Sequence, residues 1–168
     1  MIVGIDPGPV EQSCVLFDSV EKRVVSVGTF KPEDLPDALW KHKVAIEWIE
    51  SFGMAVGQEV FRTVFQIGRM QQQLGVVRLI PRRDVKLTLC GSARAKDTNI
   101  RQALIDALGE VGTKKNPGPL YGVSGHYWAA LGVAYTASQF EKTDHEAFFH
   151  NETPKVTTTT FSALEAVK

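Results

Sequence analysis

The order of patterns along the chain predicts an α/β fold, in which a mixed sheet of five strands is flanked by helices. Three short runs rich in β-branched and aromatic residues come first, which indicates a meander of three strands. Helical patterns then alternate with two further apolar runs, as in sheets whose strands are connected by helices. A length of 168 residues suits one domain, or one domain with an extension.

The first three strands are predicted from apolar runs that polar segments separate. MIVGID (1–6) is a buried-strand pattern that ends in an acid, and the Pro-Gly-Pro after it breaks the strand. SCVLFD (13–18) and RVVSVGTF (23–30) are rich in β-branched and aromatic residues, and the polar DSVEK lies between them. We therefore expect these three segments to pair as a meander.

The next two segments predict a short helix and a fourth strand. PEDLPDALWKH (32–42) favours a short helix because Pro32 and two acids come in its first turn. KVAIEWIE (43–50) predicts the fourth strand, and its apolar part ends at Glu47. The fourth strand is thus expected to end in an acid, as the first one does.

A long helix and a fifth strand follow. Apolar residues recur at helical spacing over 54–74, while arginines and glutamines occupy the other faces. Gly75 is expected to end this helix. VVRLIP (76–81) predicts the fifth strand, which Pro81 closes.

The remaining part of the chain contains two clear helical patterns and one ambiguous segment. RRDVKLTLCG (82–91) is compatible with a helical turn and a loop or with an extended segment, and both interpretations stay open. NIRQALIDALG (99–109) predicts a helix with Asp97 or Thr98 as its N-cap. After a long Gly- and Pro-rich loop, HYWAALGVAYTASQF (126–140) predicts a final, mostly apolar helix.

Composition bounds the class of protein. The hydrophobic content of 43% and the charged content of 23% are those of a soluble globular chain, and no apolar run reaches the roughly 18 to 20 residues of a membrane helix. Cys14 and Cys90 lie in apolar contexts without an export signal, so we expect reduced thiols in the cytoplasm of a bacterial or phage-infected cell. Residues 1–141 are expected to form the domain, and 142–168 a C-terminal extension that is mobile or docks to a partner.

The charge is distributed unevenly, which indicates a nucleic-acid partner in spite of a net charge of zero. Residues 1–61 carry ten acids and five bases, whereas residues 62–101 carry nine bases and two acids, a net charge of +7. A solvated helical face is the alternative explanation of this segment. Trp48 and Phe52 are candidates to stack on unpaired bases, or else core or dimer contacts. The predicted phosphate-binding residues are Arg82, Arg83, Lys86, Arg94, Lys96 and Arg101.

Two acids follow apolar strands, at the sheet edge where ligands commonly bind. Asp6 ends the first strand and Glu47 the fourth, so two carboxylates from neighbouring strands can converge on one cation. Burying a carboxylate in such a place is costly without a cation or a hydrogen-bond partner. The alternatives are an Asx-turn role for Asp6 and an ordinary strand-end position for Glu47.

His126 is the third candidate, because it begins the predicted last helix after the flexible segment GVSG. A single histidine at a helix start is commonly a hydrogen-bonded structural residue. Its imidazole can also complete an oxygen-rich metal site or act as a base. The other histidines lie in polar contexts or in the expected extension, and they do not point to a site.

Together these motifs resemble the RuvC-type Holliday-junction resolvases of the RNase H-like superfamily. The resemblance rests on GIDPG (4–8), AIEW (45–48) and HYWAALGVA (126–134), in this order and at this spacing. Between them, residues 80–104 resemble the family's Pro, Val-Lys, basic glycine loop and helix. The phrases GMAVGQEVF, LCGSARAKD and YGVSG are similar to phage-encoded members, and the resemblance covers about residues 1–140.

The resemblance implies an RNase H-like fold and a homodimer that nicks two strands of a four-way or branched DNA symmetrically. Asp6 matches the family's first-strand Asp, Glu47 its fourth-strand Glu, and His126 the position of an Asp or His on the last helix. A further Asp of the bacterial pattern is replaced here by Ala129. The candidates for the missing fourth ligand are Glu50, Asp97 and a water, and the sequence does not choose between them.

The hypothesis that follows is a metal-dependent hydrolysis of the phosphodiester. Two Mg²⁺ ions about 3.5 to 4 Å apart activate the water and stabilise the leaving group in related nucleases. Asp6 would bridge the ions, Glu47 would bind one, and His126 would bind the other or orient the attacking water. Mn²⁺ is the alternative metal, because histidine suits it better than it suits Mg²⁺.

Three other functions remain open from the sequence. A nuclease with the same site could act on flaps or RNA–DNA hybrids. A catalytically weak junction-binding protein would result if the alanine had removed the second metal. A small ATPase-like module is disfavoured, because no second phosphate-binding motif is present.

Overall fold

A computed structural model of the protein describes residues 1–51, 53 and 55–143. Most of the expected C-terminal extension, residues 144–168, lies outside the described part, as does Phe52. No helix in the described part of the chain is long and apolar enough to cross a membrane.

The sheet has the predicted five strands, and they are arranged in the order β3-β2-β1-β4-β5. The strands are β1 (Ile2–Pro7), β2 (Gln12–Asp18), β3 (Arg23–Phe30), β4 (Lys43–Trp48) and β5 (Arg78–Pro81). The first three pair antiparallel as the expected meander, while β4 is parallel to both β1 and β5. The prediction of a mixed five-stranded sheet is therefore confirmed, although β5 begins two residues later than expected.

Helices cover both faces of this sheet. They are α1 (Ala38–Lys41), α2 (Gln58–Leu74), α3 (Arg82–Cys90), α4 (Asp97–Leu108) and α5 (Tyr127–Thr143). The long helix, the helix before the Gly- and Pro-rich loop and the final helix were all expected. The differences concern where helices begin and the segment that was ambiguous.

Two helices are shorter than predicted. α1 occupies only one turn of the segment 32–42, because Pro36 disfavours helical backbone at the residue before it. α2 begins at Gln58 and not at residue 54, since Gly57 before it has an extended backbone with φ −79° and ψ 170°. Its predicted end is confirmed, because the N–H of Gly75 donates to the carbonyl of Gln71.

The ambiguous segment after β5 is the helix α3. It ends at Gly91, whose left-handed φ of 66° is readily adopted by glycine. The predicted N-cap of the next helix is wrong: Lys96 is the N-cap and Asp97 is the first helical residue. The side chain of Asn99 supplies the capping acceptor, as the backbone N–H of Lys96 donates to its Oδ1 at 2.9 Å.

Alternate residues of the strands pack into two separate cores. Ala45 and Ile80 belong to the core shared with α3, α4 and α5 on one face of the sheet. Val44 and Ile46 belong to the core shared with α1 and α2 on the other face. Successive side chains of a strand therefore meet different sets of helices, on opposite faces of the sheet.

The close approach of α5 to β1 depends on Gly4. A Cβ atom at Gly4 would lie only 2.1 Å from the carbonyl oxygen of Ala130 and 2.7 Å from the backbone nitrogen of Ala134. The backbone of α5 thus packs directly on the middle of β1. This contact sets the position of the start of α5, where His126 lies.

Substitution of Gly4 by Ala should therefore destabilise the protein by about 2 to 3 kcal/mol, because the added methyl group displaces α5. Gly28→Ala is the matched control, since a Cβ there would meet only Cys14 Sγ at 4.0 Å. Urea unfolding followed by circular dichroism measures both variants. Equal stability of the two variants would contradict the role assigned to Gly4.

Candidate active site

Asp6 and Glu47 lie side by side at the carboxyl ends of two neighbouring parallel strands. The last registered pair of β1 and β4 is Ile5 with Ile46, and the two acids are the next residues in each strand. Neighbouring strands are about 4.8 Å apart. The register of the sheet thus brings together the two carboxylates that the sequence predicted to converge.

Both acids lie on the face of the sheet that α5 covers. Each comes two positions after a residue on that face, Gly4 in β1 and Ala45 in β4. α5 begins directly after His126, so this histidine lies above the same sheet edge. The third predicted site residue is therefore placed next to the first two by the packing of one helix.

Burial makes both carboxylates difficult to ionise. Their side chains are 20% exposed at Asp6 and 15% exposed at Glu47. Burial raises the pKa of Asp6, an effect that the neighbouring His126 opposes. Burial also raises the pKa of Glu47 to about 7; the Arg82 guanidinium counteracts this, and the charge of Asp6 adds to it. Positive charge at this edge would favour the ionised forms.

His126 is hydrogen-bonded to the first of these acids. Its Nδ1 lies 3.1 Å from Oδ2 of Asp6, while the histidine side chain is 85% exposed. With a proton on Nδ1, the imidazole donates to the carboxylate, and Nε2 is then the unprotonated nitrogen. The contact fixes a histidine next to a buried acid and leaves it accessible to solvent.

Arg82 is a member of the site that the sequence assigned only to DNA binding. Its Nη1 donates to Oε2 of Glu47 at 3.1 Å, and its Nη2 donates to Oδ1 of Asp97 at 2.6 Å. The guanidinium therefore bridges a buried acid of β4 and an exposed acid at the start of α4. Arg82 is the first residue of α3, directly after β5, and this strand-end position was the available signal.

Two open cavities share His126 as a lining residue. One, of about 330 Å³, is lined among others by Arg82, Asp97 and Ala129. The other, of about 420 Å³, is lined by Asp6 and by residues 7–9, among others. The histidine is therefore accessible from both cavities, one lined by Asp6 and the other by Arg82 and Asp97.

The donor set fits a hard divalent cation that keeps several water ligands. Carboxylate oxygens are the ligands that Mg²⁺ prefers, and Asp6 and Glu47 provide them from adjacent strands. Within the described residues, no group of three His, Cys, Asp or Glu side chains could by itself hold a metal ion. Ala129 adds no carboxylate, and Asp97 is paired with Arg82. Water and substrate oxygens would have to complete the coordination.

Three of the other predicted phosphate-binding residues, Arg83, Lys96 and Arg101, are sequence neighbours of residues that line the cavity of Arg82. The full set lies on α3, on the loop 91–96 and on α4, and the two helices pack against α5. The guanidinium of Arg101 lies 5.0 Å from the centre of the Trp128 ring, and Trp128 lines that cavity. Lys86 is half-buried, and the exposed members are Arg83, Arg94, Lys96 and Arg101.

Two further candidates are not brought to this site. Trp48 is half-buried and packs against the core beneath α2, and Phe52, the other residue suggested to stack on bases, lies outside the described residues. Glu50, considered as a spare ligand, is exposed in the segment after β4. Asp97 is the spare acid that does reach the site, through its contact with Arg82.

Comparison with known proteins identifies the fold. The sequence matches no family profile and no curated protein. The structure is similar to that of Thermus thermophilus RuvC, with a TM-score of 0.58 and 18% identity over 84% of this chain and 95% of RuvC. T. thermophilus RuvC in complex with a Holliday junction substrate is similar with a TM-score of 0.57 and 20% identity, over 84% and 94% of the two chains. The protein therefore has the RNase H-like fold of RuvC, as expected.

The raised pKa of Glu47 predicts a pH dependence of stability. The pKa of Glu47 is raised from 4.5 to about 7. Between these two pH values the metal-free folded protein therefore retains a proton on Glu47 that the unfolded chain releases. The free energy of unfolding should thus fall by about 1 to 3 kcal/mol as the pH rises through this window.

Glu47→Gln should lack this part of the fall, because its neutral amide does not titrate. Urea unfolding at pH 5 and pH 8, in the presence of a chelator, measures the difference between the variant and the wild type. The same fall in both proteins would show that Glu47 does not titrate in this range.

Proposed function

We propose that this protein is a divalent-metal-dependent endonuclease that resolves four-way (Holliday) or other branched DNA by paired phosphodiester hydrolysis. The observation that carries the proposal is the pair of partly buried carboxylates, Asp6 and Glu47, on adjacent parallel strands with His126 3.1 Å from Asp6. The RuvC-like fold supports the choice of substrate, because one of the similar structures holds a Holliday junction.

In this reaction a water oxygen forms a bond to phosphorus, and the bond from phosphorus to one sugar oxygen breaks. A bound Mg²⁺ or Mn²⁺ would supply Lewis-acid stabilisation of the negative charge on the phosphate. Asp6 and Glu47 would bind this ion. For Glu47 the ligating atom would be Oε1, since Arg82 already contacts Oε2.

His126 is suited to accept the proton that the attacking water loses. The hydrogen bond of Nδ1 to Asp6 favours the tautomer whose Nε2 is unprotonated, and the side chain is accessible to solvent. The proton thus passes from water to Nε2 as the new bond to phosphorus forms. The departing sugar oxygen takes a proton from solvent, which completes the hydrolysis.

The basic residues around the site would bind the DNA backbone. Residues on α3, on the loop 91–96 and on α4 add positive charge next to the cavity lined by Arg82. Contacts of this kind give affinity without reading sequence, which suits an enzyme that recognises the shape of a junction. The affinity for a junction is therefore expected to fall steeply with salt concentration.

We further propose that the enzyme acts as a homodimer, because paired symmetric cuts need two sites. α2 presents a candidate interface, since Phe61 and Phe65 are one helical turn apart and are 66% and 64% exposed. Large exposed aromatic residues on one helix face commonly mark an interaction surface. A second copy of α2 across a two-fold axis would cover both rings.

A second candidate function is a junction-binding protein with weak or no cleavage. Ala129 favours it, because this residue lines the cavity in place of a carboxylate and leaves two strand-end acids as the main ligands. The resemblance to phage-encoded sequences favours the enzyme, and we propose that the chain is a phage-type member in which this alanine is compatible with activity. Cleavage assays separate the two functions.

Asp6→Asn should lower the cleavage rate of a four-way junction by about 100-fold or more, because the loss of the carboxylate weakens the binding of the metal. Binding of the junction should be unchanged, as the basic residues remain. The rate is measured with a labelled junction in Mg²⁺ and in Mn²⁺, and a flap and an RNA–DNA hybrid are tested beside it. Asp34→Asn, at an exposed position after β3, is the matched control.

The outcomes of this assay separate the candidate functions. Paired nicks by the wild type, lost in Asp6→Asn only, support the resolvase. If the flap or the hybrid is cut faster than the junction, the proposed substrate is wrong and the proposed metal site stands. Junction binding without cleavage in either metal would favour the second candidate, and wild-type cleavage by Asp6→Asn would refute the metal site.

Replacing Phe61 and Phe65 by Asp should convert the dimer to a monomer and uncouple the two nicks, since charged side chains cannot be buried in the interface. Sedimentation equilibrium measures the mass, and a supercoiled cruciform plasmid distinguishes paired cuts from single nicks. Val20→Asp is the control, because Val20 is 84% exposed in the turn between β2 and β3. A monomeric wild type on the junction would refute the dimer.

A further inference from the structure

The bridge made by Arg82 joins two acids that are 50 residues apart in the chain. Its guanidinium contacts Glu47 at 3.1 Å and Asp97 at 2.6 Å, and the arginine side chain is 27% exposed. A bidentate bridge between two carboxylates is the geometry for which arginine is suited and lysine is not. The bridge therefore holds a permanent positive charge beside the acids of the candidate site.

The positive charge of Arg82 lies in the wall of a cavity at the candidate site. Arg82, Asp97, His126 and Ala129 line one cavity, and His126 also lines the cavity that Asp6 lines. The methyl group of Ala129 provides no ligand. A cation in this cavity would thus have to compete with the guanidinium for the carboxylate of Asp97.

The formal charges of the site match one divalent ion. In their ionised forms, Asp6, Glu47 and Asp97 contribute three negative charges and Arg82 one positive charge. One divalent cation neutralises the resulting charge of −2. Two divalent cations would leave the site with a charge of +2 before any phosphate binds, which is unfavourable at a partly buried position.

We infer that Arg82 takes the place of a second metal ion: the protein binds one divalent cation, at Asp6 and Glu47, and Arg82 contributes the second positive charge that stabilises the scissile phosphate. The contact with phosphate rests on the proposed nuclease function, whereas the binding of one ion by the DNA-free protein does not. The two parts can therefore be tested separately.

The chemistry of the guanidinium agrees with this role. Arginine has five N–H donors in a planar fork that matches the oxygens of a phosphate. Arg82 uses two of these donors for Glu47 and Asp97, so three remain available for a phosphate oxygen. During hydrolysis, water adds to phosphorus, the sugar oxygen departs, and the negative charge on the phosphate oxygens increases. A guanidinium held in the cavity wall would stabilise that charge without the need to bind another ion.

Calorimetric titration of the DNA-free protein with Mn²⁺ at neutral pH tests the inference. The wild type should bind one ion per chain. Arg82→Gln should bind Mn²⁺ at least threefold more tightly, because Glu47 and Asp97 lose their internal counter-ion. Arg23→Gln removes the same charge at the start of β3, at the opposite end of the sheet from Asp6, and should leave the affinity unchanged.

Two results would overturn the inference. One is the binding of two Mn²⁺ ions per chain by the wild type, a measurement that needs no variant and holds even if Arg82→Gln does not fold. The other is an affinity of Arg82→Gln within threefold of the wild type. The affinity of the variant tests whether Arg82 competes with the metal for these acids, and the stoichiometry of the wild type tests whether one ion or two are bound.

A cleavage assay tests the contact with phosphate. At saturating Mn²⁺, Arg82→Gln should cut a four-way junction at least tenfold more slowly than the wild type, while Arg23→Gln cuts at the wild-type rate. If one ion binds and its affinity increases as expected, but the wild type cuts no DNA, the proposed function fails and the charge role of Arg82 stands. If the junction is cut and two ions bind, the role of Arg82 fails.

Discussion

The structure depends on the cost of burying two carboxylates next to each other. Asp6 and Glu47 end adjacent parallel strands, and both lie beneath helices that exclude most of the surrounding water. Burial raises the pKa of both acids, and the charge of Asp6 raises that of Glu47 further. Two side chains contact these acids and offset this cost: His126, the residue before α5, and Arg82, the first residue of α3. It is the need for positive charge that makes this edge of the sheet a candidate cation site.

The packing of α5 determines how these groups meet. Gly4 lets the backbone of α5 lie directly on β1, so the residue before α5 falls at the end of β1, next to Asp6. α3 starts where β5 ends, so Arg82 falls beside the end of β4. A sheet edge, one close helix contact and one tight strand-to-helix connection thus assemble the site. The basic residues of α3 and α4 lie on helices that pack against α5, on the same face of the sheet as the site.

Much of the fold followed from local patterns, whereas the organisation of the site did not. Strand-end acids are visible in a sequence because an apolar run and a following turn mark the end of a strand, and Asp6 and Glu47 were predicted in this way. The link between Glu47 and Arg82 spans 35 positions and depends on the parallel pairing of β4 with β5, which no local pattern specifies. The exposure of Phe61 could not be predicted from the sequence either, since a helical repeat of apolar residues does not show which of them are covered by other elements of the fold.

The central claim is that the carboxylates at the ends of β1 and β4 bind a divalent cation. Anomalous diffraction from crystals of the wild type soaked in Mn²⁺ tests it most directly, because the signal locates the metal without reference to activity. We expect one anomalous peak within about 2.5 Å of a carboxylate oxygen of both Asp6 and Glu47. A protein that binds Mn²⁺ only elsewhere, or crystals that show no peak at these two acids at saturating Mn²⁺, would contradict it.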